Sequence, residues 1–236
     1  MESSIARLER VFSEIFGVED FEETLSLSEI LDEWQQLVGL VSGFSEGHFV
    51  TLCCFRGHDL KFLVKSEAFS REYERVDAED RLAGTYSEAI FKTGERLKIE
   101  DGRAHSQWQQ SAAVQAGRLS FLGLPIRNPD GSLFGALNIH GDQASHFSPE
   151  IEKLLERLCK VVETHLQVAA QAADLLRCRD EILQLREMLP TICGQCKKVS
   201  NEEGWEQLES YLRRDLGAVL THGVCPECSS AFLDEV

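Results

Sequence analysis

The stretch LSFLGLPIRNPDGSLFGALNIH, residues 119–140, decides the fold of this chain. It consists of two apolar runs, residues 119–127 and 132–140, joined by the tetrapeptide NPDG. A proline followed by Asp-Gly is typical of a tight chain reversal. Short apolar runs on either side of such a turn favour paired β-strands. The stretch therefore predicts two antiparallel strands in one sheet.

The second of these strands has two different faces. Alternation places Leu133, Leu137 and Ile139 on one face. The opposite face carries Phe134, Ala136, Asn138 and His140, a mixture of apolar and polar side chains that is typical of a pocket wall. By the same alternation, Phe121 belongs to the mixed side of the first strand. We therefore predict a ligand pocket lined by Phe121, Phe134, Asn138 and His140. The alternative is that Asn138 and His140 lie in solvent at a strand end, or cap a turn.

The residues before this stretch predict further elements of the same domain. In residues 21–43, apolar side chains mostly recur at steps of three and four, as an amphipathic helix requires. The runs HFVTLCCF (residues 48–55) and LKFLV (residues 60–64) flank a short turn and predict a β-hairpin. Residues 85–101 predict a helix that breaks at Thr93-Gly94 and continues into a short strand.

This order of elements resembles a GAF domain, the small-molecule sensor module of bacterial signalling proteins. The resemblance includes FLGLPIRNPDGSLFGALNIHG at residues 121–141, covers residues 21–167 and is densest over residues 122–147. It implies an α+β fold, in which an antiparallel sheet has helices on one face and a ligand pocket on the other. It does not indicate which ligand is bound.

A long helix follows. Ser148 is a suitable N-cap, Pro149 suits the first helical position, and no glycine or further proline occurs up to Leu189. Apolar residues follow one another at alternating steps of four and three, and the pattern continues after one shortened step near Cys178. The predicted seam consists of Leu154, Leu158, Val161, His165, Val168, Ala172, Leu175, Cys178, Ile182, Leu185 and Leu189. We expect a parallel homodimeric coiled coil; the alternative is a helix folded back on its own sheet.

Two C-x-x-C pairs close the chain: Cys193 with Cys196, and Cys225 with Cys228. Four thiolates in two close pairs suit a tetrahedral Zn²⁺, which leaves no open coordination position for catalysis. We therefore predict a structural Zn²⁺ site in a small module that is too short to build a large core. An iron-sulfur cluster, a set that includes His222, and a redox-active dithiol remain alternatives.

This tail also resembles a C-terminal motif found after some bacterial GAF, PAS and receiver domains. The motif has Leu-Pro, then Cys-x-x-Cys-Lys-Lys, then Gly-Trp, a short helix and His-Gly-x-Cys-Pro-x-Cys. The corresponding residues here are Leu189-Pro190, residues 193–198, Gly204-Trp205, residues 208–212 and residues 222–228. The resemblance implies a small metal-binding module, a knuckle, but it does not indicate the module's downstream role.

Charge and motif content narrow the class of protein. The chain has 40 acidic and 24 basic side chains and a formal net charge of -16. Such a charge repels nucleic acids and anionic membranes, so we expect neither as a partner. The N-terminus has no apolar signal segment, and no apolar run is long enough to span a membrane. We expect a cytoplasmic protein.

The sequence predicts four segments: an N-terminal helical extension (1–20), a GAF-like sensor domain (21–148), a signalling helix (149–189) and a cysteine module (190–236). Nucleotide-binding and hydrolase motifs are missing, so we expect a non-enzymatic sensor that docks a protein partner through its cysteine module. One alternative is a redox sensor that acts through the cysteine tail. A further alternative is a GAF-fold thiol reductase of a small oxidised metabolite that uses Cys53 or Cys54.

Overall fold

A computed structural model of the chain describes residues 4–18, 26–45, 48–57, 59–66, 82–188, 190–201, 204–226 and 229. The chain forms two compact units, Met1–Arg177 and Cys178–Val236. The boundary between these two units falls within the long helix that the sequence predicts over residues 149–189.

The first unit contains a five-stranded antiparallel sheet, in which the strands lie side by side in the order 59–65, 48–56, 133–141, 120–127 and 97–99. The predicted antiparallel sheet flanked by helices is therefore confirmed. Its elements are, in chain order, α1 (Ser4–Phe16), α2 (Leu27–Phe44), β1 (His48–Arg56), β2 (Asp59–Lys65), α3 (Tyr86–Thr93), β3 (Leu97–Ile99), α4 (Ala112–Gln115), β4 (Ser120–Arg127) and β5 (Leu133–Gly141). Helix α5 (Pro149–Met188) follows.

Local sequence sets where the helices of this unit begin and end. The Ser26 hydroxyl accepts a hydrogen bond from the Glu29 amide at 3.4 Å and caps α2. Ser148 caps α5 in the same way, as its sequence predicts, by accepting from the Ile151 amide at 3.4 Å. Helix α3 ends at Gly94, whose φ of 66° lies in the left-handed region. Glycine adopts this conformation without a steric penalty.

One face of the sheet packs against α1, α2 and the first part of α5. Phe12, Trp34 and Phe147 are fully buried in this core. The indole Nε1 of Trp34 donates a hydrogen bond to Nδ1 of His165 at 2.8 Å, which ties α2 to α5. The core therefore joins helices from both ends of the unit across a single face of the sheet.

A register shift in β5 corrects the predicted position of Phe134. Ile126 pairs with Gly135 while Arg127 pairs with Leu133, so Phe134 is an extra residue in β5 at this point. Such a bulge reverses the alternation of faces. Phe134 consequently lies in the helix-facing core with Leu137, and its predicted place on the mixed face is wrong.

The first part of α5 corrects three positions of the predicted seam. Leu155, Val162 and Leu166 face the sheet and are buried. Two of the predicted seam residues, Leu158 and Ala172, are also buried, and His165 is bonded to Trp34. A helix that packs on its own domain cannot offer the same side chains to a second helix. The alternative reading, a helix folded back on its own sheet, is right for this part.

The second unit begins with the last turns of α5. It continues through β6 (Val199–Asn201), β7 (Gly204–Glu206) and α6 (Leu208–Leu216), and β6 and β7 pair antiparallel. The guanidinium of Arg214 bonds to Glu206, with Nη2 at 2.6 Å from Oε1, and also to Asp215. This ion-pair cluster links α6 to β7.

We predict that Gly135→Ala destabilises the first unit by about 1–3 kcal/mol, because a Cβ at this position would clash with the carbonyl oxygen of Cys53 on β1. Gly39→Ala is the matched control. Gly39 lies within α2 with open space around its Cβ position, so the substitution should stabilise the protein by about 0.5–1 kcal/mol. Urea unfolding followed by circular dichroism measures both changes. Equal stability of the two variants would contradict the strand register.

Candidate functional site

The face of the sheet opposite the long helices carries a second, aromatic core. Tyr86 of α3 lies between two aromatic rings, with centroid distances of 4.9 Å to Trp108 and 4.9 Å to Phe121. The ring of His140 continues this row, 5.0 Å from Phe121. The buried residues of this cluster are Cys53, Phe55, Leu60, Leu82, Tyr86, Ile90, Ile99, Trp108, Ala113, Phe121 and Ala136.

A polar group interrupts this aromatic layer. Asn138 of β5 is buried, and its Nδ2 donates hydrogen bonds to Ser87 Oγ at 3.3 Å and Cys53 Sγ at 3.4 Å. Thr51 lies directly opposite Asn138 on β1. Asn138 Oδ1 and Thr51 Oγ1 are both buried and have no hydrogen-bond partner in the part of the chain that the structure describes. A buried amide oxygen and a buried hydroxyl are therefore left without a hydrogen-bond partner among the described residues.

Gly123 of β4 lies directly beside Asn138 of β5. A Cβ at Gly123 would lie 2.7 Å from Asn138 Oδ1 and would also collide with Ile90 and Phe121. Only glycine fits at this point of β4 without moving its neighbours. The described conformation is consequently packed closely around the asparagine.

His140 and Tyr86 are held in their neutral forms at this site. Burial, together with the nearby charge of Arg118, lowers the pKa of His140 well below its ordinary value. Burial raises the pKa of Tyr86 to about 12, and its hydroxyl donates to the carbonyl oxygen of Arg118 at 3.0 Å. The site therefore offers neutral hydrogen-bonding groups at neutral pH.

Three of the four predicted pocket residues come together on this face. Phe121, Asn138 and His140 lie on it, whereas Phe134 packs on the other side of the sheet. Sequence reasoning missed Thr51 and Ser87. The alternation of β1 offers a signal for Thr51, since it shares a face with Cys53. No local pattern signals Ser87, because its contact with Asn138 depends on how α3 packs on the sheet.

The cysteines of the first unit are enclosed. Cys53 and Cys54 lie in β1 and Cys159 lies in α5, and all three are buried. Burial raises the pKa of Cys53 to about 12, that of Cys54 to about 11 and that of Cys159 to about 12. These side chains are therefore neutral thiols at neutral pH and serve as small core residues.

A groove of about 850 Å³ lies elsewhere on the first unit. Leu124, Pro125 and Cys159 contribute to its apolar part, and Arg96 and Lys153 are among its charged residues. None of the predicted pocket residues belongs to its lining. It is an open surface feature, and the buried polar group around Asn138 is the better candidate site.

The first cysteine pair of the second unit forms a tight turn. The Cys193 amide donates to the Lys198 carbonyl at 2.8 Å, and the Lys197 amide donates to the Cys193 carbonyl at 3.0 Å. Backbone N–H groups, first that of Cys196 and then that of Gln195, lower the pKa of Cys193. Amide groups directed at a sulfur also stabilise a metal-bound thiolate. This turn therefore fits one half of a metal knuckle.

The second cysteine pair is only partly described. Cys225 is exposed, as is Cys196, whereas Cys228 lies outside the described residues. Among the residues with described positions, no group of three or more His, Cys, Asp or Glu side chains is arranged to hold a metal ion. The four-cysteine Zn²⁺ site consequently stays a prediction.

Comparison with known proteins decides the family. The sequence model of the GAF domain matches residues 26–166, more than half of the chain. The chain belongs to the GAF family. A comparison of the sequence with curated proteins finds no match.

Solved structures similar to this GAF protein share little sequence with it. A putative GAF sensor protein from Burkholderia vietnamiensis is 18% identical, with a TM-score of 0.48 over 71% of this chain and 96% of that one. A free methionine-R-sulfoxide reductase from Neisseria meningitidis, in complex with its substrate, is 14% identical, with a TM-score of 0.49 over 73% of this chain and 95% of that one. A domain of a putative two-component sensor histidine kinase from Sinorhizobium meliloti is 16% identical, with a TM-score of 0.38 over 66% and 97%.

These neighbours correct one expectation about the GAF protein. The sequence-based conclusion that the chain is not an enzyme is wrong, because free methionine-R-sulfoxide reductases are among the similar structures and an enzyme is therefore possible.

None of the helices that the structure describes combines the length and apolar character needed to cross a membrane.

We predict that a brief treatment of the native protein with iodoacetamide modifies Cys178 and leaves Cys53, Cys54 and Cys159 unmodified. Cys178 is exposed, whereas the other three thiols are enclosed and protonated. Mass spectrometry of the digested protein measures each site, and the same treatment in 8 M urea serves as the control for full reactivity. Rapid native modification of Cys53 would show that the aromatic layer is open in solution.

Proposed function

We propose that this GAF protein is a signalling sensor whose first unit binds a small molecule beside Asn138. The observation that carries the proposal is the unpartnered, buried Oδ1 of this asparagine. A buried acceptor without a donor costs about 1–3 kcal/mol. A ligand that supplies the donor recovers this free energy, and water does so only where it can enter.

The surrounding side chains restrict the chemistry of the ligand. Tyr86, Phe121 and Trp108 offer flat apolar surfaces, and Asn138 and Thr51 offer acceptors. His140 is neutral, and the charge of Arg118 lies nearby. These groups suit a small, flat, uncharged molecule with an N–H or O–H donor.

Binding requires movement of the layer that covers Asn138, because Gly123, Ile90 and Phe121 fill the space around it. Ile90 and Ser87 belong to α3, an eight-residue helix on this face of the sheet. A ligand that displaces α3 selects a conformation different from the described one, and this difference is the signal. Helix α5 is the element that continues from the sensing unit toward the cysteine module.

The cysteine module would hold one structural Zn²⁺ through Cys193, Cys196, Cys225 and Cys228. The amide-lined turn at the first pair supports this assignment. Bound there, the ion would hold together a small module that presents a surface to a protein partner. The alternative, a redox sensor, uses the same four thiols and signals by their oxidation.

The thiol reductase alternative depends on Cys53 or Cys54. Cys53 does lie at the candidate site, in contact with Asn138. Burial nevertheless keeps its sulfur protonated and enclosed, which is unfavourable for a nucleophile. The described conformation therefore supports a sensor better than a reductase.

For the sensor, we predict that a screen of small metabolites finds ligands that raise the melting temperature of the wild-type protein by several degrees but do not stabilise Asn138→Leu. Leucine has a similar size and removes the acceptor, so a ligand loses its hydrogen bond there. Differential scanning fluorimetry measures the shift. The control is Asn201→Leu in the second unit, which should respond as wild type does. Ligands that stabilise Asn138→Leu equally well would place binding elsewhere.

For the metal, we predict one zinc ion per chain when the protein is purified without chelators, and a large loss of zinc in Cys196→Ser. Replacing one of four thiolates opens the coordination sphere and weakens binding. Inductively coupled plasma mass spectrometry gives the metal content. The matched control Cys178→Ser should keep its zinc, because Cys178 lies in α5 outside both cysteine pairs. Wild-type protein that contains iron, or no metal, would contradict the assignment.

A further inference from the structure

The open groove of the first unit exists because β3 is much shorter than its neighbour β4. Strand β3 pairs only with residues 121–123, so that β4 has no strand on this side from Leu124 onward among the described residues. The gap lies between the turn 94–96, which follows α3, and the first turns of α5. Pro125 at this unpaired edge has no amide N–H that would need a partner. The volume of about 850 Å³ is typical of small-molecule sites.

Two arginines connect the walls of this groove. Nη1 of Arg96, in the turn, lies 3.7 Å from a carboxylate oxygen of Glu156 on α5. At the end of β4, Arg127 donates to the Gly94 carbonyl at 2.8 Å through Nη2, and its amide donates to Glu163 Oε1 at 3.2 Å. The walls are therefore held in place without a ligand, and a preformed site has less to order when a ligand binds.

The floor of the groove is apolar. Leu124 and Cys159 belong to the helix-facing core, with 8% and 5% of their surface still exposed, and Pro125 is partly buried. All three side chains line the groove. A hydrocarbon chain or ring that covers them is removed from water together with them, which favours binding. The floor therefore suits the apolar body of a ligand.

The walls of the groove are charged, and most of their charges are already paired. Lys160 lies 2.6 Å from Glu163, and Arg96 is paired with Glu156. In the described part of the chain, no salt bridge or hydrogen bond occupies the other charged lining residues, Glu95, Lys153 and Arg157. Their sum is one positive charge, in a chain whose formal net charge is -16. The groove is therefore a local site for an anion.

The two unpaired basic residues act on the same point. Lys153 and Arg157 are four positions apart on α5, so they are neighbours on one face of the helix, and both are exposed. Lys153 also attracts Glu150 one turn earlier, although the two form no salt bridge. The guanidinium of Arg157 presents the planar pair of donors that matches a carboxylate. Arg157 is consequently the anchor, and Lys153 adds to its field.

We propose that this groove binds a small amphipathic carboxylate. The carboxylate pairs with Arg157 beside Lys153, and the apolar body covers Leu124, Pro125 and Cys159. The inference goes beyond the proposed function, because the groove lies on the helix-facing side of the sheet and takes an anion. The site around Asn138 lies on the opposite side and suits an uncharged molecule. The first unit then receives two chemically different inputs.

Isothermal titration calorimetry of the full-length protein tests the ligand class. The probes are octanoate, with a chain, and 1-naphthoate, with a ring, each compared with its alcohol, 1-octanol or 1-naphthalenemethanol. At least one acid should bind at one site per chain, and its alcohol should bind at least about tenfold more weakly, because it cannot form the ion pair. The tighter acid shows whether the groove takes a chain or a ring. If neither acid binds, or if the alcohol binds equally well, the proposal is overturned.

Surface variants test the location with the acid that binds. Arg157→Gln should weaken binding at least about tenfold. Glu95→Gln should strengthen it, because the substitution removes a negative charge from the lining. The control Arg177→Gln makes the same charge change as Arg157→Gln on α5, outside the groove, and should bind as wild type does. Melting temperatures report whether each variant is folded, and an Arg157→Gln variant that binds like wild type overturns the proposal.

The variant Asn138→Leu separates this inference from the proposed function. It should bind the acid as wild type does, because Asn138 does not line the groove. If the acid fails to bind while metabolites still stabilise the protein through Asn138, only the groove proposal is overturned. If the acid binds through Arg157 while no metabolite depends on Asn138, the groove proposal is supported and the proposed site at Asn138 is not.

Discussion

Strand β5 is the constraint on which the first unit depends. It lies in the middle of the sheet, paired with β1 on one side and β4 on the other, and both of its faces are buried. Gly135 lets its backbone pass close to the carbonyl of Cys53. With this strand fixed, Leu137 and Ile139 face the helices, and Asn138 faces the aromatic layer. The helical core and the candidate site are therefore two sides of one strand.

Much of this arrangement could be predicted from the sequence, because strand alternation and helix caps are local. The turn NPDG, the cap at Ser148 and the position of Asn138 on the mixed face of its strand all follow from neighbouring residues. The position of Phe134 does not. It depends on a bulge that appears only when β4 and β5 are set in register. The contact between Ser87 and Asn138 does not follow from neighbouring residues either, because it depends on how α3 packs on the sheet.

The long helix shows a second limit of sequence reasoning. A single pattern of apolar residues contains both the side chains that pack on the domain and those that remain exposed, and spacing alone does not separate them. Burial does separate them: Leu166 and Ala169 face the core, whereas Val168 and Leu175 do not. One helix thus carries both side chains buried in the core of the first unit and exposed apolar side chains.

We expect the chain to combine a GAF sensor with a cysteine module that holds a metal ion. Native mass spectrometry of the full-length protein, purified without chelators, tests this most directly because it weighs the intact assembly. We expect one dominant species with one zinc ion per chain. Protein without metal would contradict the role proposed for the four cysteines.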